Sequence, residues 1–234
     1  MSWNHLLAVL TATGMLLSSV VLYGQSTCPT DDNDACPWKE RYLAREKFVQ
    51  YDTVFSPTHP NRNVVVNITK CERYFTFNVC YRCCDGKLEV RLSTVQGCDE
   101  NGNPDPDVTR GCKWRYDTQF WKQVDGAIAY RFKYLDCNTD PLNCDNLPDC
   151  KDGRRQVVSY YKANCWRYEV TVEGMPGWKL VPCQGSGDCK QVYELCCKNG
   201  MTYTYNKIES TSYGGCIGST GGETLDECYQ SCWE

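Results

Sequence analysis

Cys80-Tyr81-Arg82-Cys83 has the C-x-x-C spacing of a redox dithiol or of half a zinc site. Its surroundings fit neither chemistry. A redox dithiol of this kind opens a helix, whereas here Cys84 and the turn pair Asp85-Gly86 follow at once. Cys80, Cys83 and Cys84 read instead as separate ends of disulfide bridges, in a chain that holds 19 cysteines among 234 residues.

Other chemistry is sparse. The two histidines are His5, in an apolar leader, and His59, in the proline-bounded turn Ser56–Asn63, so a nucleophile–histidine system has one base to draw on. His59 reads as a turn residue. The 29 acidic residues are so numerous that no glycosidase-like carboxylate pair stands out. Asp99, Asn101, Asn103, Asp105 and Asp107 set hard oxygen donors at every second position, the donor type that calcium takes. Gly102 falls at the fourth place rather than the sixth and no Glu stands at the twelfth, so the segment reads as a solvated turn, with calcium as its alternative. Asn67-Ile68-Thr69 is a glycosylation sequon in a eukaryotic setting. No catalytic residue, cofactor-binding residue or further metal ligand is identified, and the chain is not read as an enzyme.

The cysteines set the compartment. Residues 1–26 read as a secretory signal: Met1 to Thr30 contain no Asp, Glu, Lys or Arg, and Leu6–Leu22 is almost wholly apolar. Small residues at Gly24-Gln25-Ser26 follow, then Asp31, Asp32, Asn33 and Asp34. A retained anchor is the alternative, and the only route to a membrane. Behind an export signal, Cys71, Cys80, Cys83, Cys84, Cys98, Cys165, Cys196, Cys197, Cys216, Cys228 and Cys232 are structural bridge candidates. The total is odd, so one thiol is left over, either buried or available for a bridge to another molecule. With a net charge of −4 and both signs mixed along the chain, no basic stripe offers itself to nucleic acid. The expected location is extracellular or at the cell surface, with other extracellular proteins or further copies of the chain as partners.

The elements that must carry these residues are mainly β: small sheets and hairpins with a few short helices. Cys36–Asp52 predicts a short helix, with Pro37 in its first turn and Trp38 and Tyr42 one turn apart. Val64–Val79 is β-branched and aromatic, and Asp85-Gly86 predicts a hairpin returning through KLEVRLSTV. After the polar loop Asp99–Asp107 the pattern restarts. Cys112–Gly126 repeats the order Cys, Trp, Arg-Tyr, aromatic, Val, Asp, with Phe120, Val124 and Ile128 at helical spacing. AYRFKYL (129–135) reads as a strand, VVSYYKANCWRYEVTV matches VVVNITKCERYFTF, and CCKNG matches CCDGK. An internal duplication is therefore expected, with a first unit over 27–110 and a second, carrying insertions, over 111–234.

Tyr and Trp outnumber Phe, and their polar tips suit thin cores and interfaces. Trp114, Trp166 and Trp178 are candidate ligand-facing aromatics, with packing beside disulfides as the competing role. Near the end, Thr224 and Glu227 have capping-box spacing, which predicts a short helix with Cys228 and Cys232 on one face. Tyr213, Gly214, Gly215, Cys216, Cys228 and Cys232 together resemble the last third of a Kunitz-type protease inhibitor. The match covers about 20 residues. That resemblance implies protease inhibition, with Lys198 where a basic specificity residue follows its cysteine. The family's cysteine shortly before Tyr-Gly-Gly-Cys is missing here, and the segment after Cys197 is too short, so convergence on a stapled helix is the better account. The expected function is that of a non-catalytic, secreted or cell-surface, disulfide-rich structural or interaction protein, of the kind that serves as a subunit of an extracellular assembly. Recognition of carbohydrate or inhibition of a protease is the alternative.

Overall fold

The computed structural model describes residues 28–29, 36–55, 65–105, 118–137, 140–141, 144–171, 177–214 and 229–232. Asp85 (φ 50°) and Gly86 (φ 74°) both take the left-handed conformation of a type I′ turn, whose twist matches that of paired strands. They join β2 (Val65–Cys84) to β3 (Lys87–Cys98), and β1 (Lys39–Phe55) lines the other edge of β2. A two-stranded ladder, β4 (Asp136–Cys137) and β5 (Asp140–Pro141), follows the helix α1 (Thr118–Arg131). Next come β6 (Gln156–Ala163), β7 (Cys165–Thr171), β8 (Gly177–Pro182), β9 (Asp188–Lys198), β10 (Thr202–Tyr213) and β11 (Tyr229–Gln230).

Nine of these strands form one mainly antiparallel sheet, and β3 is its branch point. One edge of β3 is filled by β2. The other is shared: Leu88–Arg91 pair in parallel with β6, and Val95 and Gln96 pair antiparallel with β8. From there β6 leads to β9 and β10, and β8 leads to β7 and β11. Consecutive strands β6 and β7 thus lie on different arms, and Asn164 makes the step between them. It is buried, its amide N–H donates to the Gly187 carbonyl (2.7 Å), and its carbonyl accepts from Ser231 N–H (2.7 Å). Strands from both sides of residue 110 share this sheet.

The helix covers one face. Phe120, Val124 and Ile128, with Trp121 and Phe132 beside them, pack on Phe75, Phe77, Leu88, Val90, Tyr160 and Trp166, all at most 1% exposed. Gln123 gives the backbone of Val49 both a donor and an acceptor (3.3 Å each), so the helix also satisfies polar groups of β1.

Five bridges join described cysteines: Cys28–Cys80, Cys36–Cys84, Cys144–Cys197, Cys150–Cys196 and Cys189–Cys232. Each spans 43 to 53 residues. Closing such a loop removes about 4 kcal/mol of chain entropy from the unfolded state in the simplest account. Cys83, Cys165 and Cys183 are bonded as well. Such a framework fits an oxidising, extracellular setting. Among the described residues no helix is long and apolar enough to cross a membrane.

Several local expectations are corrected. The segment expected to be helical after Cys36 is strand β1 from Lys39 onward, held to β2 over its length. The segment 129–135 expected to be a strand instead ends α1 and continues as a 3-10 turn, Phe132–Tyr134, because Phe132 extends the Val124–Ile128 stripe into the core. Tyr229 and Gln230 pair with Trp166 and Cys165 as a strand, where a helix was expected. The duplication is not shown: Phe48 and Val49 lie in a strand, and their counterparts Phe120 and Val124 lie in the helix.

Candidate functional site

Among the described residues the largest concentration of exposed aromatic side chains is where the end of α1 meets β10. Tyr130 and Tyr134 leave the helix and its 3-10 extension, Tyr203 and Tyr205 alternate on β10, and all but the half-buried Tyr203 are exposed. The Lys133 ammonium lies 3.6 Å from the centre of the Tyr130 ring, 5.1 Å from Tyr134 and 5.6 Å from Tyr203, within reach of cation–π attraction to all three. The Tyr203 hydroxyl donates to the Ala129 carbonyl (3.1 Å), one of the acceptors that a helix end leaves open. Burial pushes the Tyr203 phenol well above its ordinary pKa, so it remains a donor. Tyr205 also touches Tyr193 behind it (6.4 Å), which joins the patch to the core.

What fixes the helix under this patch is a buried polar cluster. Lys162 of β6, 1% exposed, donates to both carboxylate oxygens of Asp125 on α1 (2.9 and 2.7 Å). Gln191 of β9 donates to the same carboxylate (2.7 Å) and accepts from the Tyr193 hydroxyl (2.6 Å). Desolvation holds the Lys162 pKa below its usual value, with Asp125 opposing the shift. Desolvation raises the phenol pKa of Tyr160 and Tyr193, and the Asp125 charge adds to it. The cluster resembles an acid–base site in composition, but its ammonium and carboxylate are sealed under the helix. Its geometric effect is to tie α1 to β6 and β9 at one point.

The sequence candidates fall elsewhere. Trp166 is fully buried, and its indole N–H donates to the Ala163 carbonyl (2.8 Å), so it is a core residue and not ligand-facing. Trp114 and the side chain of Trp178 lie outside the described residues, as do Cys216, Cys228, Asp107, His59 and the side chain of Cys71. Cys80, Cys84, Cys196, Cys197 and Cys232 are bridged, and the vicinal Cys196 and Cys197 reach different partners in one loop, 144–150. Cys98 is corrected: it is unpaired and 2% exposed. Burial, helped by the carboxylates of Asp99 and Asp105, raises its pKa to about 11. The oxygens of Asp99 close their own loop, accepting from the amides of Asn101 and Asn103 (2.8 Å each) and from the Asn103 side chain (3.0 Å). Asp105 faces Arg73 at 3.6 Å. Among the described residues no group of three or more His, Cys, Asp or Glu is placed to hold a metal. Lys198 ends β9 beside the tight turn Asn199-Gly200, in a paired strand rather than an extended loop.

The tyrosine patch is not among the sequence candidates. Its signal was present: Tyr203 and Tyr205 are two apart on a strand, and Tyr130 and Tyr134 are four apart on a helix. What the sequence lacks is any sign that the two sets meet. The chain matches no family model, no curated protein and no solved structure.

Proposed function

We propose that this is a non-catalytic protein of the extracellular space or cell surface that works by contact with another protein, as a bridge-braced component of an extracellular assembly. The observation that carries the reading is the Tyr130–Lys133–Tyr134–Tyr203–Tyr205 corner, largely exposed and tied together by the Lys133 contacts and the Tyr203–Ala129 hydrogen bond. Tyrosine gives large contact area for little side-chain entropy, and rings held in place before binding reduce the ordering cost of association. The rings are not coplanar: Tyr130 and Tyr203 meet at 83° and Tyr203 and Tyr205 at 39°. Such a surface suits an irregular protein partner better than a flat sugar ring.

Among the described residues the one free thiol, Cys98, is buried, which favours a non-covalent contact there over an intermolecular bridge. The test is sedimentation velocity of the oxidised full chain over a wide concentration range, combined with cross-linking in its own extracellular fraction. A self-association or a defined cross-link that disappears in the Tyr130→Ser, Tyr205→Ser variant is the expected result. If the parent and that variant behave alike in both measurements, the reading fails.

A further inference from the structure

On the face of the sheet away from α1, the branch at β3 leaves an opening. Arg91 is the last β3 residue paired with β6, and Val95 is the first paired with β8. The stretch between them, Leu92-Ser93-Thr94, forms one wall of a cavity of about 680 Å³, within the usual range for small-ligand sites. The disulfide Cys28–Cys80 holds Cys28 and Pro29 at its rim. The Ser93 hydroxyl, 2.9 Å from the bridged Cys80 sulfur and therefore the donor, braces that rim from below.

The charge here runs against that of the molecule. The chain carries a net −4, yet the cavity is lined by Arg91, Arg167 and Lys179 against one acid, Glu169. Arg91 pairs with Asp188, and Lys179 reaches Glu169 at 3.5 Å. Arg167, exposed on β7, makes no ion pair among the described residues. We propose that this cavity binds a small polar molecule bearing an oxyanion, of the class of an acidic sugar with a carboxylate or a sulfate ester. A guanidinium fork matches either group with two parallel hydrogen bonds. Glu169 and the Thr94 hydroxyl stand in the same walls for the ligand's hydroxyl groups, and the local positive excess disfavours a cation. This site lies on the other face from the tyrosine corner and does not depend on it.

The experiment is an amide NMR titration of the oxidised full chain with glucuronate, glucose 6-sulfate and glucose. Saturable shifts at Arg91–Thr94 and Arg167 with one or both acidic sugars, and none with glucose, are expected, and the stronger of the two identifies the anion. Arg167→Glu, at an exposed position, keeps the remaining spectrum and weakens binding about tenfold or more, as loss of a charged hydrogen bond predicts. The proposal is overturned if neither acidic sugar shifts these amides, if glucose shifts them equally, or if Arg167→Glu binds like the parent.

Discussion

The sheet contains two hairpins with the same turn chemistry and opposite surroundings. Asp85-Gly86 alone joins β2 to β3, and Asn199 (φ 54°) with Gly200 (φ 66°), followed by Met201, joins β9 to β10. A vicinal cysteine pair precedes each turn. On the returning strand the likeness ends. In β3, Leu88, Val90, Leu92 and Val95 are at most 1% exposed, and strands flank both edges. In β10 no residue is fully buried, and the strand ends its arm of the sheet. Turn residues thus decide that a hairpin forms, and the apolar content of its second strand decides whether it is enclosed. An open edge of 12 residues invites pairing with other chains. Here a register shift between Lys207 and Glu209, with charges on both sides, interrupts that edge.

Asp125→Ala is the largest expected disruption of this contrast. It leaves the Lys162 charge buried without its carboxylate, at a cost of about 3–5 kcal/mol. Because the cluster ties β6 and β9 to the helix, hydrogen exchange is expected to accelerate more at Gln191 and Tyr193 than at Val79 and Val90. Equal acceleration in both hairpins would show that the tether is global. Next in size, Leu88→Ala costs about 2–5 kcal/mol as a core truncation, while Ile208→Ala on β10, 50% exposed in the parent, stays within about 0.5 kcal/mol. Urea midpoints at unchanged slope measure both. Smaller than the core truncation, though larger than the Ile208 change, are the effects of Gly86→Ala and Gly200→Ala. Neither added methyl meets an atom within 4 Å, so each carries only the backbone cost of a left-handed alanine, about 1–2 kcal/mol. Unequal values would show that the added residue Met201 changes what the shared left-handed pair contributes.

Much of the β architecture was legible because its signals are local. Asp85-Gly86 needs only its own dihedral preference, and KLEVRLSTV alternates over its first residues as a half-covered strand does. The helix stripe Phe120, Val124, Ile128 was legible for the same reason. The first segment misled because Trp38 and Tyr42, four positions apart, fit the period of a helix and, being an even number apart, the period of a strand equally well. Segment 129–135 misled in the opposite sense. Its alternating Tyr130, Phe132 and Tyr134 look strand-like, but tertiary burial of Phe132 against Tyr160 and Tyr193 keeps the helical course. The tyrosine corner and the opening at the branch were hidden because each joins residues about 70 positions apart. The opening depends on the parallel pairing of β3 with β6 and the corner on how the end of α1 meets β10, and one sequence carries no marker for either.

Cys98 bears on how long the finished framework lasts. Bridges rearrange when a thiolate attacks a neighbouring sulfur, so an odd cysteine is a standing hazard in a protein made of cross-links. With a pKa near 11, roughly one Cys98 in ten thousand is ionised at neutral pH, and burial keeps even that fraction from reaching a bridge. Once folded, the molecule has locked away the one described nucleophile that could unpick it. Attack by Cys98 on the cross-links then waits on opening of the β2–β3 region.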